Sequence, residues 1–176
     1  DLADGGAGHF ARTVEAIRRM KPSPVLRTDA ATHQDRVTIE VLTPDFLGNS
    51  DAIDTVAESG PDVFNHNIET IPRLYVHIRP GADYKRSVDF LAYIHKKYPS
   101  IYLKSGLMVG LGETEDEIVA VLSDLRKAGC SAVTIGQYLR PGAGNTPVVE
   151  YVRPKTFSFY REQAKKMGFS YIASGP

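Results

Sequence analysis

Cysteine is almost missing: Cys130 is the only one in 176 residues. No intrachain disulfide can form, and no site that needs several thiolates can be built from this chain alone. Charge of one sign is not in excess either. Lys+Arg and Asp+Glu are equal at 21 each, which removes the broad electrostatic attraction of proteins that bind nucleic acid or anionic membranes. Neither partner is expected. No apolar run comes near the roughly 18 residues of a membrane span, and the opening Asp1-Leu2-Ala3-Asp4-Gly5-Gly6 is acidic and glycine-rich, unlike a secretory signal. Nothing points to a membrane or to export. An initiating methionine is missing too, and the chain opens in a turn-like segment just ahead of an amphipathic helix, so the natural protein is expected to begin earlier. The histidines lie far apart, without a His-x-His or HExxH pattern, and give no support to a protein-built zinc site. A Ser/His/Asp elbow is absent as well.

What is present suits one core. With 42% hydrophobic and 24% charged residues, a single globular domain over residues 1–176 is expected. Phe10, Val14 and Ile17 recur at helical spacing up to Lys21-Pro22, which predicts a helix over about 8–20. Residues 23–36 turn polar and aperiodic and read as a loop insertion. Val37 to Thr43 is β-branched and stops at Pro44, and Ile53, Val56 and Ala57 mark a helix closed by Gly60-Pro61. This strand–helix unit recurs. Val63-Phe64 begins a second strand, and after an irregular stretch Val88, Leu91, Ala92 and His95 form a helical face ended by Pro99. Ile101 to Val109 is a third strand. Thr114 to Glu117 is a capping box ahead of Ile118, Val121, Leu122 and Leu125, with Gly129 closing the helix. Ala132 to Leu139 is a fourth strand. Pro154 opens a helix carrying Phe157, Tyr160 and Ala164, Gly168 ends it, and Phe169 to Ala173 is a fifth strand.

Alternating strands and helices require parallel pairing through right-handed crossovers, hence an α/β fold that is either doubly wound or a (β/α) barrel. Five strands are too few to close an eight-strand barrel. Because the first element is a helix, a partial barrel lacking its first strand or strands fits best. In either architecture a ligand sits at the strand C-terminal ends.

The residues there are polar. After the second strand, alternation places Asn65, Asn67 and Glu69 on one side and His66 on the other. Amides and a carboxylate so grouped suit hydroxyl or amine recognition, or else serve the loop backbone; for His66 the second reading is preferred. Lys104 lies inside the apolar third strand, where a charge must be paired or functional. It is either an anion contact, a Schiff-base amine of an aldolase-like lyase, or the partner of a nearby carboxylate. Gly110-Leu111-Gly112-Glu113-Thr114-Glu115 imitates a dinucleotide fingerprint but lacks its third glycine and the later acidic residue. Glycines at 106, 110 and 112 would still let a planar ring approach bare backbone, which favours a nucleoside-like ligand. Gln137 is another candidate recognition amide.

Several blocks taken together resemble the lipoyl synthases of the radical S-adenosylmethionine superfamily. They are Asp4-Gly5-Gly6-Ala7, Glu40 to Phe46, His66 to Arg73, Arg79-Pro80-Gly81-Ala82, Lys104 to Met108, Thr134 to Tyr138 and Ala173 to Pro176. The resemblance runs nearly end to end. It implies a partial radical-SAM barrel and a sulfurtransferase that inserts two sulfurs at C6 and C8 of a protein-bound octanoyl chain. It also implies S-adenosylmethionine and two [4Fe-4S] clusters, one cleaving S-adenosylmethionine to a hydrogen-abstracting radical and the other giving up its sulfur. The partners implied are an octanoylated lipoyl-carrier domain, from a 2-oxoacid dehydrogenase E2 or the glycine-cleavage H protein, and a reductant protein. The compartment implied is the cytoplasm, or else a mitochondrial or plastid matrix.

On this resemblance Asn67 and Glu69 take ribose or methionine, and Gly106-x-Met108-x-Gly110-x-x-Glu113 lays backbone against adenine. Lys104, Ser105 and Gln137 face the same cavity, and Arg73 and Arg79 meet a carboxylate, the carrier or a structural partner. No catalytic acid or base is implied, since the chemistry belongs to the cofactors. The family's cysteine triads have no counterpart here, and Cys130 belongs to neither. The chain is therefore expected to be a fragment that is inactive alone. Gly142 to Thr146 also departs from the family's usual basic stretch. Rival readings are the Lys104 lyase and a non-catalytic module that binds the carrier.

Overall fold

The structure, a computed structural model, describes residues 2–20 and 37–176. The expected insertion at 23–36 and the helix stop at Lys21-Pro22 lie outside the described residues. The elements are α1 (Ala7–Arg19), β1 (Glu40–Leu42), α2 (Ser50–Glu58), β2 (Val63–Asn65), α3 (Tyr75–Ile78), α4 (Tyr84–Lys97), β3 (Tyr102–Val109), α5 (Glu115–Lys127), β4 (Ala132–Gln137), α6 (Pro154–Lys166) and β5 (Tyr171–Gly175). All strand pairs are parallel, and the strands lie side by side in chain order.

That order decides between the two α/β architectures. A doubly wound sheet reverses its strand order at a switch point and carries helices on both faces. Here no reversal occurs, and the core lies on one face. Val41, Phe64, Leu103, Leu107, Val109, Val133 and Ile135 alternate onto it and pack with Val14, Val56, Leu91, Ile94, Leu122, Leu125 and Phe157 from the helices. Each such side chain contributes about 1.5–3 kcal/mol by leaving water. The other face carries Leu42, Lys104, Met108, Thr134, Tyr171 and Ala173, none of them fully buried. It is the inner wall of a partial barrel.

Local chemistry sets the helix ends. Asp4 accepts from the Gly6 and Gly8 amides at 2.9 and 2.8 Å and caps α1. The capping box of α5 is complete: Thr114 Oγ1 accepts from Glu117 N, and Glu117 Oε2 accepts from Thr114 N at 2.8 Å. Gly129 and Gly168 stop α5 and α6 with φ of +95° and +86°.

Several strand boundaries differ from the sequence reading by one to three residues, among them the end of β4 at Gln137 rather than Leu139 and of β5 at Gly175 rather than Ala173. β1 starts at Glu40 rather than Val37 because the Ile39 amide donates to the Asp62 carboxylate at 2.7 Å, while Ile39 O still accepts from Val63 N at 3.1 Å. β5 starts at Tyr171 rather than Phe169, since Phe169 N closes the end of α6 on Ala164 O at 3.2 Å. The stretch read as irregular holds a 3-10 turn, Pro72–Leu74, running into α3. Its outward Val76 is exposed, so it shows no apolar period.

Candidate functional site

At the C-terminal ends of β2 to β5 the inner wall opens into a cleft of about 470 Å³, lined by Asn67, Glu69, Gly106, Met108, Thr134, Gly136, Arg161 and Gly175 among others. Strand register builds it in rows. Gly106, Thr134 and Ala173 are lateral neighbours, and one step higher are Met108, Gly136 and Gly175. Beyond β2 the chain leaves as Asn67-Ile68-Glu69. Glu69 rejoins β3 by donating its amide to Gly106 O at 3.0 Å and accepting from Met108 N at 2.8 Å. Glu69 does so with φ of +65°, a conformation that costs a non-glycine residue about 1–3 kcal/mol and is enriched at functional positions.

Two polar groups in the cleft lack protein partners. Asn67 Oδ1 is buried without a hydrogen bond, and the Glu69 carboxylate forms no hydrogen bond or ion pair among the described residues. A buried unpartnered carbonyl oxygen costs about 1–3 kcal/mol, which a donor from a ligand would relieve. Arg161 reaches the rim from α6, where it donates to Ser174 O at 3.0 Å. The bare backbone lies at Gly136 and Gly175, where an added Cβ would meet nothing within 4 Å.

The glycines singled out in the sequence behave otherwise. At Gly106 a Cβ would fall 2.5 Å from Thr134 Oγ1 and 2.8 Å from Asn67 Oδ1, and at Gly110 it would fall 2.4 Å from Glu150 O. Gly112 faces Val149. These positions stand against the chain's own atoms, whereas Gly136 and Gly175 carry the backbone left open in the cleft.

Of the expected contacts, Asn67, Glu69, Gly106 and Met108 line the cleft. Lys104 shares the inner wall but sits lower, with Nζ 2.7 Å from Glu40 Oε1, and Asn65 Nδ2 donates to the same oxygen at 2.9 Å. Ser105 does not face the cavity. It is fully buried on the helix-covered side, as strand alternation beside Lys104 demands. Gln137 is bound up in holding the chain that returns from β4: Nε2 donates to Tyr138 O and Glu150 O, and Oε1 accepts from Val152 N at 2.8 Å. Glu113 accepts from the Gly110 and Leu111 amides at 2.5 and 2.9 Å. Arg73 pairs with Glu117 at 2.8 Å, and that contact holds the Glu117 carboxyl down at about 2. Thr134, Gly136, Arg161 and Gly175 were missed; of these, register with Gly106 and Met108 could have found the first two.

His66 has the structural role expected. Nδ1 lies 2.9 Å from Thr43 O and Nε2 3.0 Å from Ser87 Oγ, with the ring against Phe90. Burial is the main cause that pushes its pKa below the usual 6.5, while Arg79, Asp45 and Arg86 act on it with opposing signs. The folded state thus resists protonation. Stability from this group is complete above pH 6.5 and is lost as pH falls below it, because the unfolded chain binds the proton more readily. Urea unfolding at pH 7.5 and 5 should show the loss, and His66→Gln should lessen that pH dependence.

A larger cavity of about 880 Å³ opens between Leu2–Gly6 and Pro44–Asn49. Its carboxylates are engaged, Asp4 in capping α1 and Asp45 with Arg86 at 2.6 Å. The smaller cleft, with its unpartnered acceptors, is the better site.

The family description "Radical SAM superfamily" matches residues 5–125. The chain belongs to this superfamily. All 176 residues of the radical SAM chain align with the lipoyl synthase of Caldanaerobacter subterraneus subsp. tengcongensis at 49% identity and with that of Geotalea uraniireducens at 50%. The chain spans 57% of each relative's length. Among solved structures, hydroxymethylglutaryl-CoA lyase from Pseudomonas aeruginosa superposes with a TM-score of 0.56 at 13% identity, over 88% of this chain and 46% of that one. The radical S-adenosylmethionine methyltransferase TsrM from Kitasatospora setae gives 0.50 at 15% identity, over 76% and 25%. Both likenesses concern the barrel fold alone.

An iron–sulfur cluster does not fit the residues present. Cys130 is fully buried just ahead of β4, at the strand end opposite the cleft, and burial pushes its thiol up to about 12. Among the described residues no three His, Cys, Asp or Glu side chains are grouped to hold a metal ion. No helix among them is long and apolar enough to cross a membrane.

Proposed function

We propose that this chain is the nucleoside-binding portion of a lipoyl synthase, which installs sulfur at C6 and C8 of an octanoyl chain carried on a protein lysine. The identity of about half of all residues to curated lipoyl synthases carries this reading. The cleft supports it. A nucleoside needs bare backbone for a planar ring and acceptors for ribose hydroxyls, and Gly136 and Gly175 offer the first while Asn67 Oδ1 and Glu69 offer the second. When bound, S-adenosylmethionine supplies the power to abstract hydrogen from unactivated carbon. The chain's own residues bind and orient: Asn67 and Glu69 accept from hydroxyl or amine donors, Met108 gives a soft wall beside the ring, and Gly106 lets Asn67 and Thr134 close over β3. The clusters need ligands other than those of this chain, which alone turns over no substrate on this reading. The partners that go with it are an octanoylated lipoyl-carrier domain of an E2 or H protein and a reductant protein, in the cytoplasm.

The Lys104 lyase is disfavoured by the Glu40 ion pair, since a Schiff-base amine must be free to attack. Calorimetry with S-adenosylmethionine on the cluster-loaded full-length protein tests the main reading. Glu69→Ala should weaken binding by about 1–3 kcal/mol, the value of a hydrogen bond to a charged group. An unaltered constant would return Glu69 to a loop role and remove the assignment.

A further inference from the structure

Resting on the nucleoside reading of the cleft, we propose that Tyr75 and Arg79 are its positioning residues, holding Asn67 and Glu69 in place without touching the ligand. The segment from Asn67 to Glu69 is strained at Glu69, whose φ is +65°. Its inner edge is bonded to β3. Its outer edge is held by two side chains from the next turn of chain. Tyr75 Oη donates to Ile68 O at 2.7 Å, and Arg79 Nη1 donates to Asn67 O at 3.2 Å and to Tyr75 Oη at 3.3 Å.

The Arg79 guanidinium also lies 5.5 Å from the centre of the Tyr75 ring. Among the described residues it has no carboxylate within ion-pair distance, so these contacts are what fix it. Tyr75 is itself fixed: it is buried, and the Tyr84 ring meets it edge-on at 5.5 Å, with Tyr84 Oη donating to Asp124 of α5 at 3.1 Å. Neither Tyr75 nor Arg79 lines the cleft. A chain of contacts therefore runs from α5 through two tyrosines to the carbonyls of Asn67 and Ile68. Without it the strained segment is free to relax, and the two cleft acceptors move with it.

The test uses the full-length, cluster-loaded protein and calorimetric binding of S-adenosylmethionine. Tyr75→Phe keeps the ring and removes one hydroxyl, and Arg79→Lys keeps the charge and removes the fork. Each should weaken binding about tenfold while lowering the thermal midpoint by only about 2–4 °C. In an Asn67→Ala/Glu69→Ala background, Tyr75→Phe should cost no further affinity although its thermal shift persists, because its effect on binding passes through those two side chains. If Asn67→Ala/Glu69→Ala weakens binding but Tyr75→Phe and Arg79→Lys leave it unchanged, or if the losses add, the positioning role is overturned and the cleft reading stands. If Asn67→Ala/Glu69→Ala binds like the parent, the cleft reading falls and takes this inference with it.

Discussion

Gly110→Val is expected to lower stability by about 3 kcal/mol or more, combining left-handed strain in a β-branched residue with overpacking. Gly110 holds φ of +104°, and a Cβ there would lie 2.4 Å from both Glu150 O and Gln137 Nε2. Nor can the neighbours give way easily. Gly110 O accepts from Val149 N at 2.9 Å and Glu150 N at 3.3 Å, and Gly110 N donates to Glu113 at 2.5 Å, so the intruding atom meets backbone pinned on both sides. The sequence suggested instead that bare backbone here admits a ligand's planar ring. The space is taken by the chain's own carbonyl. Urea unfolding of Gly110→Val beside Gly144→Ala decides the matter, since Gly144 has open space around it and should change stability by less than about 0.5 kcal/mol. A Gly110→Val protein as stable as the parent would show that residues 149–150 do not pack on this turn.

Arg86→Met should cost about 2–4 kcal/mol, near the lower part of the range for breaking a buried ion pair because Arg86 is partly solvated. Side-chain exposures are 29% for Arg86 and 11% for Asp45. Asp45 also accepts from Leu47 N at 3.0 Å, at the head of Phe46, Leu47 and Gly48, with φ of +47°, +53° and +78°. Losing the guanidinium strands a carboxylate and loosens a turn of three successive left-handed residues. Burial tends to raise the Asp45 pKa, but Arg86 and the Leu47 amide outweigh it and hold the value below 3.8. The pair's contribution is thus present above the ordinary carboxylate value and lost as pH falls below it. Lys85→Met supplies the comparison: its pair with Asp89 is on the same helix with exposures of 81% and 61%, so the change should stay within about 0.5 kcal/mol. Equal small effects for both variants would mean that Arg86 does not anchor the turn.

Much of the fold was legible because its signals are local. The capping box at Thr114, the stop glycines at 129 and 168, and the helical spacing of Ile118, Val121, Leu122 and Leu125 all act within a few residues. The start of β1 was missed because a distant group sets it, the Asp62 carboxylate that takes the Ile39 amide. In the site, alternation rightly grouped Asn65, Asn67 and Glu69 apart from His66. The same rule could have separated Ser105 from Lys104, because adjacent strand residues cannot face one cavity. Arg161 carries no local signal at all, since a helix residue reaches the rim only through the crossover from α6 to β5. Gln137 looked like a free amide because its partners Glu150 and Val152 arrive only after the chain has gone out and back.

That return path decides how the stretch from Gly142 to Thr146 is held. Gln137 clasps the outgoing chain at Tyr138 and the incoming chain at Glu150 and Val152, which seals the excursion at its neck. Further out, Tyr138 Oη donates to Thr146 O at 2.9 Å and Arg140 Nε to Asn145 O at 2.8 Å, so the excursion is braced mainly against itself. Its tip at Gly142 to Thr146 is thereby mechanically insulated from the cleft, and a change of composition there leaves the spacing of the strand ends below untouched.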